Sequence, residues 1–221
     1  MLNRMRRIAA GSDVYVLGSG ATLDHVDPRF FDGKWVVATN SIADRIGIYG
    51  TANVVTHSHY HWEAHALAVK YPDNVFVCPN GHQGFAGEPK VDDRLPNIIF
   101  YPHQPTVYDF HPDRAWRKDG LIVGSTSLHG SMHLACIMGA ATVMMVGADC
   151  GILDGKTNEG THPLTEVPDP TRTPEAILAR WEGHLRLVKR KLVDEYGVRI
   201  YSLNPFLNPN LEGHSWQGTP R

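Results

Sequence analysis

Short runs of apolar residues recur along the chain, and each is followed by turn residues or by a stretch with helical spacing. The runs are continuous rather than alternating with polar residues, which is typical of strands covered on both faces. Strands of this kind occur in parallel sheets that lie between two layers of helices. The pattern predicts seven strands, at 14–17, 35–39, 53–56, 75–78, 97–101, 142–146 and 198–202.

Two helices have clear start and stop signals. The first is predicted between Ser125-Thr126-Ser127, whose hydroxyls suit an N-cap, and Gly139. The second has Thr173 as N-cap, Pro174 at its first position and Gly197 at its end. Its apolar residues are three or four positions apart and predict one buried face: Leu178, Trp181, Leu185, Val188 and Leu192. Strands alternating with helices predict a doubly wound, mostly parallel, Rossmann-like α/β sheet.

The chain length of 221 residues suits a single α/β domain. Within it we expect a nucleotide-binding core at 8–149 and a C-terminal helix, strand and tail at 174–221. The stretch from Cys150 to Thr173 has no apolar periodicity and is rich in Gly, Asp, Asn, Thr and Pro. A loop this long inside a compact domain is often a functional lid, so the prediction is a single domain with a mobile lid loop.

The charge balance of 21 Lys+Arg against 23 Asp+Glu gives a net charge of −2 and no argument for nucleic acid as a partner. Three isolated cysteines without a C-x-x-C pair fit a reducing compartment. No apolar run approaches the ~18 residues of a membrane span, and the apolar run after the basic start is too short for a signal peptide. These observations predict a cytoplasmic protein without a membrane span, of a size compatible with a homo-oligomer.

The segment Gly18-Ser19-Gly20-Ala21-Thr22 directly follows the first predicted strand. Its glycines allow a close backbone approach to a ligand, and the N–H groups at the start of a following helix suit a phosphate. The segment is neither a complete G-x-G-x-x-G motif nor a P-loop, and a tight strand–helix turn is the alternative interpretation. Because ligands of open α/β sheets lie at the carboxyl ends of strands, we expect it to bind a nucleotide.

Three further positions follow predicted strands or begin a predicted helix. Asn40 follows the second strand, where its amide could bind a ribose or base or simply form a turn. Thr126 and Ser127 stand at a helix start, which suits an anion or simple capping. Asp149 lies just after the strand at 142–146, where its carboxylate could bind a sugar hydroxyl, a base or Mg²⁺, or cap the loop.

Histidines are concentrated at 57, 59, 61 and 65. His61 and His65 would share one face of a helix, which permits metal binding. The segment is not an H-E-x-x-H motif, and no further Cys or Asp completes a tetrahedral set nearby. We therefore predict no metal site and expect a substrate-binding or surface segment.

The order of these motifs resembles the bacterial sialyltransferases of the Campylobacter type, and equally the wider DUF115 group. That group includes motility-associated glycosylation factors and the archaeal 6-hydroxymethylpterin pyrophosphokinase. The resemblance runs from Val14 to about Pro205, but identity within the motifs is sparse. Ser19 and Ala21 stand where the family has Asn and Pro, and Leu128 stands where the sialyltransferases have Gly.

The resemblance implies roles for particular residues. Ser19 to Thr22 match the family's nucleotide loop, Asn40 matches its Asn after strand two, and Thr126 with Ser127 match the pair that contacts the donor. His162 loosely matches the catalytic His. His57 falls where the sialyltransferases have another Asn, and its position near the nucleotide makes it a competing candidate for the base. The family's donor is CMP-sialic acid, so the resemblance implies a nucleotide sugar as donor substrate and no required cofactor.

The function expected from these residues is glycosyl transfer from a nucleotide sugar to an acceptor hydroxyl, with His162 or His57 as the base. One alternative is a pyrophosphokinase acting on a hydroxymethylpterin-like substrate, for which Asp149 and Asp154 would hold Mg²⁺. Another is a non-catalytic nucleotide-binding or assembly protein. The sequence leaves the sugar and the acceptor open.

Overall fold

The computed structural model describes residues 2–80, 95–102, 120–122, 126–151 and 174–203. These residues contain seven strands, all paired in parallel in one sheet. The strands are β1 (Asp13–Leu17), β2 (Trp35–Thr39), β3 (Asn53–His57), β4 (Val75–Asn80), β5 (Ile98–Pro102), β6 (Thr142–Val146) and β7 (Arg199–Ser202). The prediction of a parallel sheet is confirmed, and each predicted strand is present with ends shifted by at most two residues.

Four α-helices accompany the strands in the described ranges. They are α1 (Ile42–Arg45), α2 (His61–Lys70), α3 (Leu128–Ile137) and α4 (Pro174–Tyr196). Short 3-10 helices lie at Leu2–Met5, Ala21–His25 and Pro28–Phe31. The two predicted helices are confirmed as α3 and α4, and α4 ends before Gly197, whose φ is +66°. Because glycine adopts this left-handed conformation without a side-chain clash, it stops the helix as predicted.

Helices cover both faces of the sheet, which explains why the strands are apolar throughout. One face packs against α3, α4 and the first 3-10 helix through residues such as Val16, Val37 and Met145. The opposite face carries the intervening strand positions, such as Val36 and Phe76, and packs beside α1 and α2. The architecture is a Rossmann-like α/β fold.

The long helix α4 has the buried stripe that its spacing predicts. Leu178, Leu185, Val188 and Leu192 are buried, and Trp181 is partly buried. Within the ranges that the structure describes, no helix is both long and apolar enough to cross a membrane.

Candidate functional site

The strand order is β5-β4-β3-β2-β1-β6-β7, so the direction of winding reverses at β1. The chain adds strands outward from β1 on one side and then returns to place β6 on its other side. In open α/β sheets, the loops at such a reversal diverge and leave a crevice at the carboxyl ends of the strands, where ligands bind. Here those loops are Gly18–Thr22 after β1 and the segment beginning at Gly147 after β6.

The glycines of these two loops pack against each other. A Cβ on Gly18 would lie 2.5 Å from the Gly147 carbonyl oxygen, and a Cβ on Gly147 would lie 2.6 Å from the Gly18 carbonyl oxygen. The Gly20 N–H donates to the Gly147 carbonyl oxygen at 2.7 Å. Gly147 also has a φ of +66°. The glycines therefore serve a close approach between two backbone segments of the protein itself.

Asp149 anchors the loop after β1. Its carboxylate accepts a hydrogen bond from the Thr22 N–H at 2.7 Å and another from the Thr22 hydroxyl. The side chain is 1% exposed, and this burial raises the pKa of the carboxyl against the opposing effect of the Thr22 hydrogen bonds. Loss of the carboxylate would leave two buried donors unpaired, and each would destabilise the fold by about 1–3 kcal/mol. Asp149 thus has a structural role, and the ligand contact that the sequence suggested stays a prediction.

Among the loop residues, Ser19 is half-buried, whereas Gly18, Gly20, Ala21 and Thr22 are buried. Because the N–H groups of Gly20 and Thr22 already donate to Gly147 and Asp149, Ser19 has the side chain best placed to meet a ligand. The start of α3 lies close by, since a Cβ on Gly18 would be 3.4 Å from Leu128 Cδ1.

Asn40 follows β2 in a left-handed conformation with a φ of +53°. Asn tolerates this conformation better than most residues, which agrees with the turn that the sequence allowed. Its N–H donates to the His57 carbonyl oxygen at 2.9 Å, and its side-chain oxygen accepts from the His59 N–H at 3.2 Å. Asn40 therefore joins the loops that follow β2 and β3, and its side-chain NH₂ group is what it can offer a ligand.

His57, one of the two histidines predicted as a base, lies in the core beneath α3. Its Nδ1 is 3.1 Å from Ser131 Oγ, and its Nε2 is 2.9 Å from the Tyr101 hydroxyl. It is 1% exposed, and burial lowers its pKa from 6.5 to about 3, with a smaller contribution from His59. Both ring nitrogens are engaged and the ring is neutral at pH 7, so this arrangement is that of a structural histidine.

The buried polar cluster around His57 extends to β2, because Thr39 Oγ1 is 2.9 Å from Ser131 Oγ. The sequence did not single out Ser131 or Tyr101. Ser131 follows Ser127 by four positions, a spacing that places both on one helix face. Tyr101 lies at the end of an otherwise apolar strand. Its hydroxyl group was the sequence feature that could have pointed to a buried polar contact there.

Thr126 and Ser127 lie at the start of α3, as expected, and both are half-buried. The Thr126 hydroxyl oxygen accepts from the Leu128 N–H at 2.9 Å, and the Ser127 carbonyl oxygen accepts from the Ser131 N–H at 3.2 Å. The Thr126 hydroxyl oxygen thus accepts from a backbone N–H at the start of α3, and the hydroxyl group can also donate a hydrogen bond.

Other predictions concern residues that lie outside the described ranges. His162 and residues 152–173 of the expected lid are among them, as is Asp154. His61 and His65 lie on α2, a helix that the sequence allowed without predicting it, and His61 Nε2 pairs with the Pro79 carbonyl oxygen. Among the described residues, no group of three His, Cys, Asp or Glu side chains is arranged to hold a metal ion.

The structure thus brings Gly18, Gly20, Thr22 and Asp149 into one tightly packed cluster, with the start of α3 beside it. Asn40 and His57 belong to a second cluster, centred on the carboxyl ends of β2 and β3 at the same edge of the sheet. Comparison with protein-family models, curated proteins and solved structures finds no match for the chain.

Proposed function

We propose that the chain binds a nucleotide at the carboxyl edge of the sheet between β1 and β6, and that it is a transferase using a nucleotide-activated donor. The observation that carries the proposal is the reversal of strand order at β1, together with a Gly-Ser-Gly turn held in place there by Asp149. A loop that is fixed before ligand arrives loses little conformational freedom on binding. Such a loop at a strand reversal is suited to a phosphate group.

The phosphate would meet Ser19 first in this arrangement. The Ser19 N–H and hydroxyl can both donate hydrogen bonds, whereas the N–H groups of Gly20 and Thr22 are used within the protein. The Thr126 hydroxyl proton adds a donor at the start of α3, close to the end of β1. Donors at these positions would stabilise the negative charge of a departing nucleotide phosphate.

The reaction we propose is glycosyl transfer from a nucleotide sugar of the CMP-sugar type. The acceptor hydroxyl oxygen forms a bond to the anomeric carbon, the bond from that carbon to the phosphate oxygen breaks, and the nucleotide leaves with the electron pair. A base takes the proton from the acceptor hydroxyl, and His162 is the residue we propose for it. Because Asp149 is 1% exposed and both its oxygens accept from Thr22, it is poorly placed to hold Mg²⁺ with its water ligands, which favours glycosyl transfer.

The proposal predicts nucleotide binding that depends on the charge at position 19. We expect CMP to bind measurably by titration calorimetry, and cytidine without the phosphate to bind at least about tenfold more weakly. The Ser19→Asp variant places a carboxylate against the phosphate and should weaken CMP binding by about tenfold or more, since like charges in such a site repel.

The matched control is Ser19→Asn, which has the shape of the aspartate variant without its charge and should retain binding within about threefold. Thermal unfolding of the two variants checks that both remain folded. ATP with and without Mg²⁺ completes the panel, because tighter Mg²⁺-dependent ATP binding would favour the pyrophosphokinase alternative. Equal CMP affinity for Ser19→Asp and Ser19→Asn would contradict the proposal that the phosphate binds at this loop.

A further inference from the structure

The segment Ser58–Trp62 connects the carboxyl end of β3 to the first turn of α2. It therefore lies on the same edge of the sheet as the loop Gly18–Thr22. In the strand order, β2 alone separates β3 from β1, and two strand spacings amount to about 10 Å. A ligand whose phosphate sits at the end of β1 can extend along this edge towards the end of β3.

The segment is held by hydrogen bonds to its neighbours. The Ser58 hydroxyl donates to Glu63 Oε2 at 2.9 Å, and its oxygen accepts from the Tyr60 N–H at 3.1 Å. The His59 N–H donates to the Asn40 side chain at 3.2 Å. Glu63 also accepts hydrogen bonds from Ser41, and burial raises the pKa of its carboxyl. The loops after β2 and β3 are thus joined into one surface before any ligand binds.

Two aromatic rings stand on this fixed segment. The Trp62 side chain is 48% exposed, although it is the second residue of a helix whose Ala64, Leu67 and Ala68 are buried. Its ring centroid is 6.3 Å from that of Tyr60, with the two planes 39° apart. A single exposed apolar residue needs no explanation, but this exposed indole lies beside a second ring, on a segment that the Asn40 side chain binds through the His59 N–H at the carboxyl edge of the sheet. Such a pair of rings is suited to stacking.

We propose that Trp62, with Tyr60 beside it, is the surface on which a planar heteroaromatic ring of the ligand stacks, and that the Asn40 side-chain NH₂ group donates a hydrogen bond to that ring's edge. The ring is the base of the nucleotide whose phosphate meets Ser19, so this inference rests on the proposed function. Stacking selects for a flat ring and tolerates different bases, whereas a single amide donor selects weakly between them.

The test compares CMP and AMP with ribose 5-phosphate, which carries the phosphate and sugar without a base. In Trp62→Ala we expect CMP and AMP to bind roughly 10- to 100-fold more weakly, the range that corresponds to the loss of one base–aromatic stack. Ribose 5-phosphate should bind as it does to the unmodified chain. Trp62→Phe should keep most of the nucleotide affinity, and CMP should quench the tryptophan fluorescence of the unmodified chain more than that of Trp62→Phe.

Val69→Ala, an exposed apolar substitution on the same helix, is the matched control and should leave all affinities unchanged. If Trp62→Ala binds CMP normally while Ser19→Asp does not, the stacking surface is refuted and the nucleotide site at β1 stands. If Trp62→Ala weakens ribose 5-phosphate as much as CMP, Trp62 does not act by stacking on a base and the inference is also refuted. If the unmodified chain binds no nucleotide, both the proposed function and this inference are refuted.

Discussion

Replacing Gly147 with alanine is expected to destabilise the protein by about 2–5 kcal/mol. A left-handed φ costs an alanine about 1–2 kcal/mol, and the new Cβ would lie 2.6 Å from the Gly18 backbone carbonyl oxygen. Since that oxygen belongs to the backbone at the end of β1, it cannot turn away as a side chain could. Overpacking of this kind adds about 1–3 kcal/mol or slightly more.

Gly197→Ala is the matched control, because Gly197 has the same φ of +66° and no atom within 4 Å of the added Cβ. Gly197→Ala should be destabilised by the conformational cost alone. The free energy of unfolding measured in urea should therefore fall by about 2 kcal/mol more in Gly147→Ala than in Gly197→Ala. For a chain of this size that difference corresponds to a midpoint of thermal unfolding lower by roughly 4–8 °C. Equal losses in the two variants would mean that the loops after β1 and β6 do not pack as described.

The second large effect is a loss of stability in mild acid. His57, His129 and His133 are buried, and burial lowers the pKa of each from 6.5 to about 3. Above pH 6.5 these rings are neutral in both states, so stability is full. As the pH falls from 6.5 towards 3, the unfolded chain binds protons that the folded chain does not, and the free energy of unfolding decreases.

At pH 5 each of the three histidines would lower the free energy of unfolding by about 2 kcal/mol, or about 6 kcal/mol together. That is a large part of a typical domain's stability. Glu63 and Asp149 act in the opposite direction, because burial raises their pKa values and their carboxyls gain protons earlier in the folded state. These two carboxyls offset part of the loss that the histidines cause. Urea unfolding at pH 7.5, 6.5, 5.5 and 5 should therefore show a fall of several kcal/mol.

A variant separates this effect from general acid sensitivity. His57→Gln removes one of the three titrating rings, so its own loss of stability between pH 7.5 and 5 should be about 2 kcal/mol smaller than that of the unmodified chain. A free energy of unfolding that stays constant over this range in the unmodified chain would show that the buried rings are accessible to protons in the folded state.

The continuous apolar strands made the sheet predictable, because a strand buried on both faces leaves few alternatives in sequence. The helix α2 was not predicted as such, since His61, Trp62 and His65 interrupt any apolar stripe and its buried residues are mostly alanines. The signals around α3 and α4 were stronger, because hydroxyls, proline and glycine mark helix ends through their backbone chemistry.

The candidate site was predictable in position but not in its contacts. Gly18, Asn40 and Asp149 were identified because they follow strands, and strand ends gather at one edge of a parallel sheet. That Gly18 packs on Gly147, or that Asp149 binds Thr22, depends on residues far apart in the chain. Likewise, the burial of His57 between Ser131 and Tyr101 follows from how α3 crosses the sheet, which local patterns do not encode.

The most direct test of the central claim is to map where CMP binds by following backbone amide resonances during a titration. The nucleotide site proposed at the end of β1 predicts saturable shifts that are largest at Ser19, Gly20 and Ala21, with smaller ones at Asn40. Gly33 and Thr51, which pair at the opposite end of the sheet, should not move. Saturable shifts centred on that opposite end, or none at Ser19 to Ala21 at saturating CMP, would contradict a nucleotide site at the reversal of strand order.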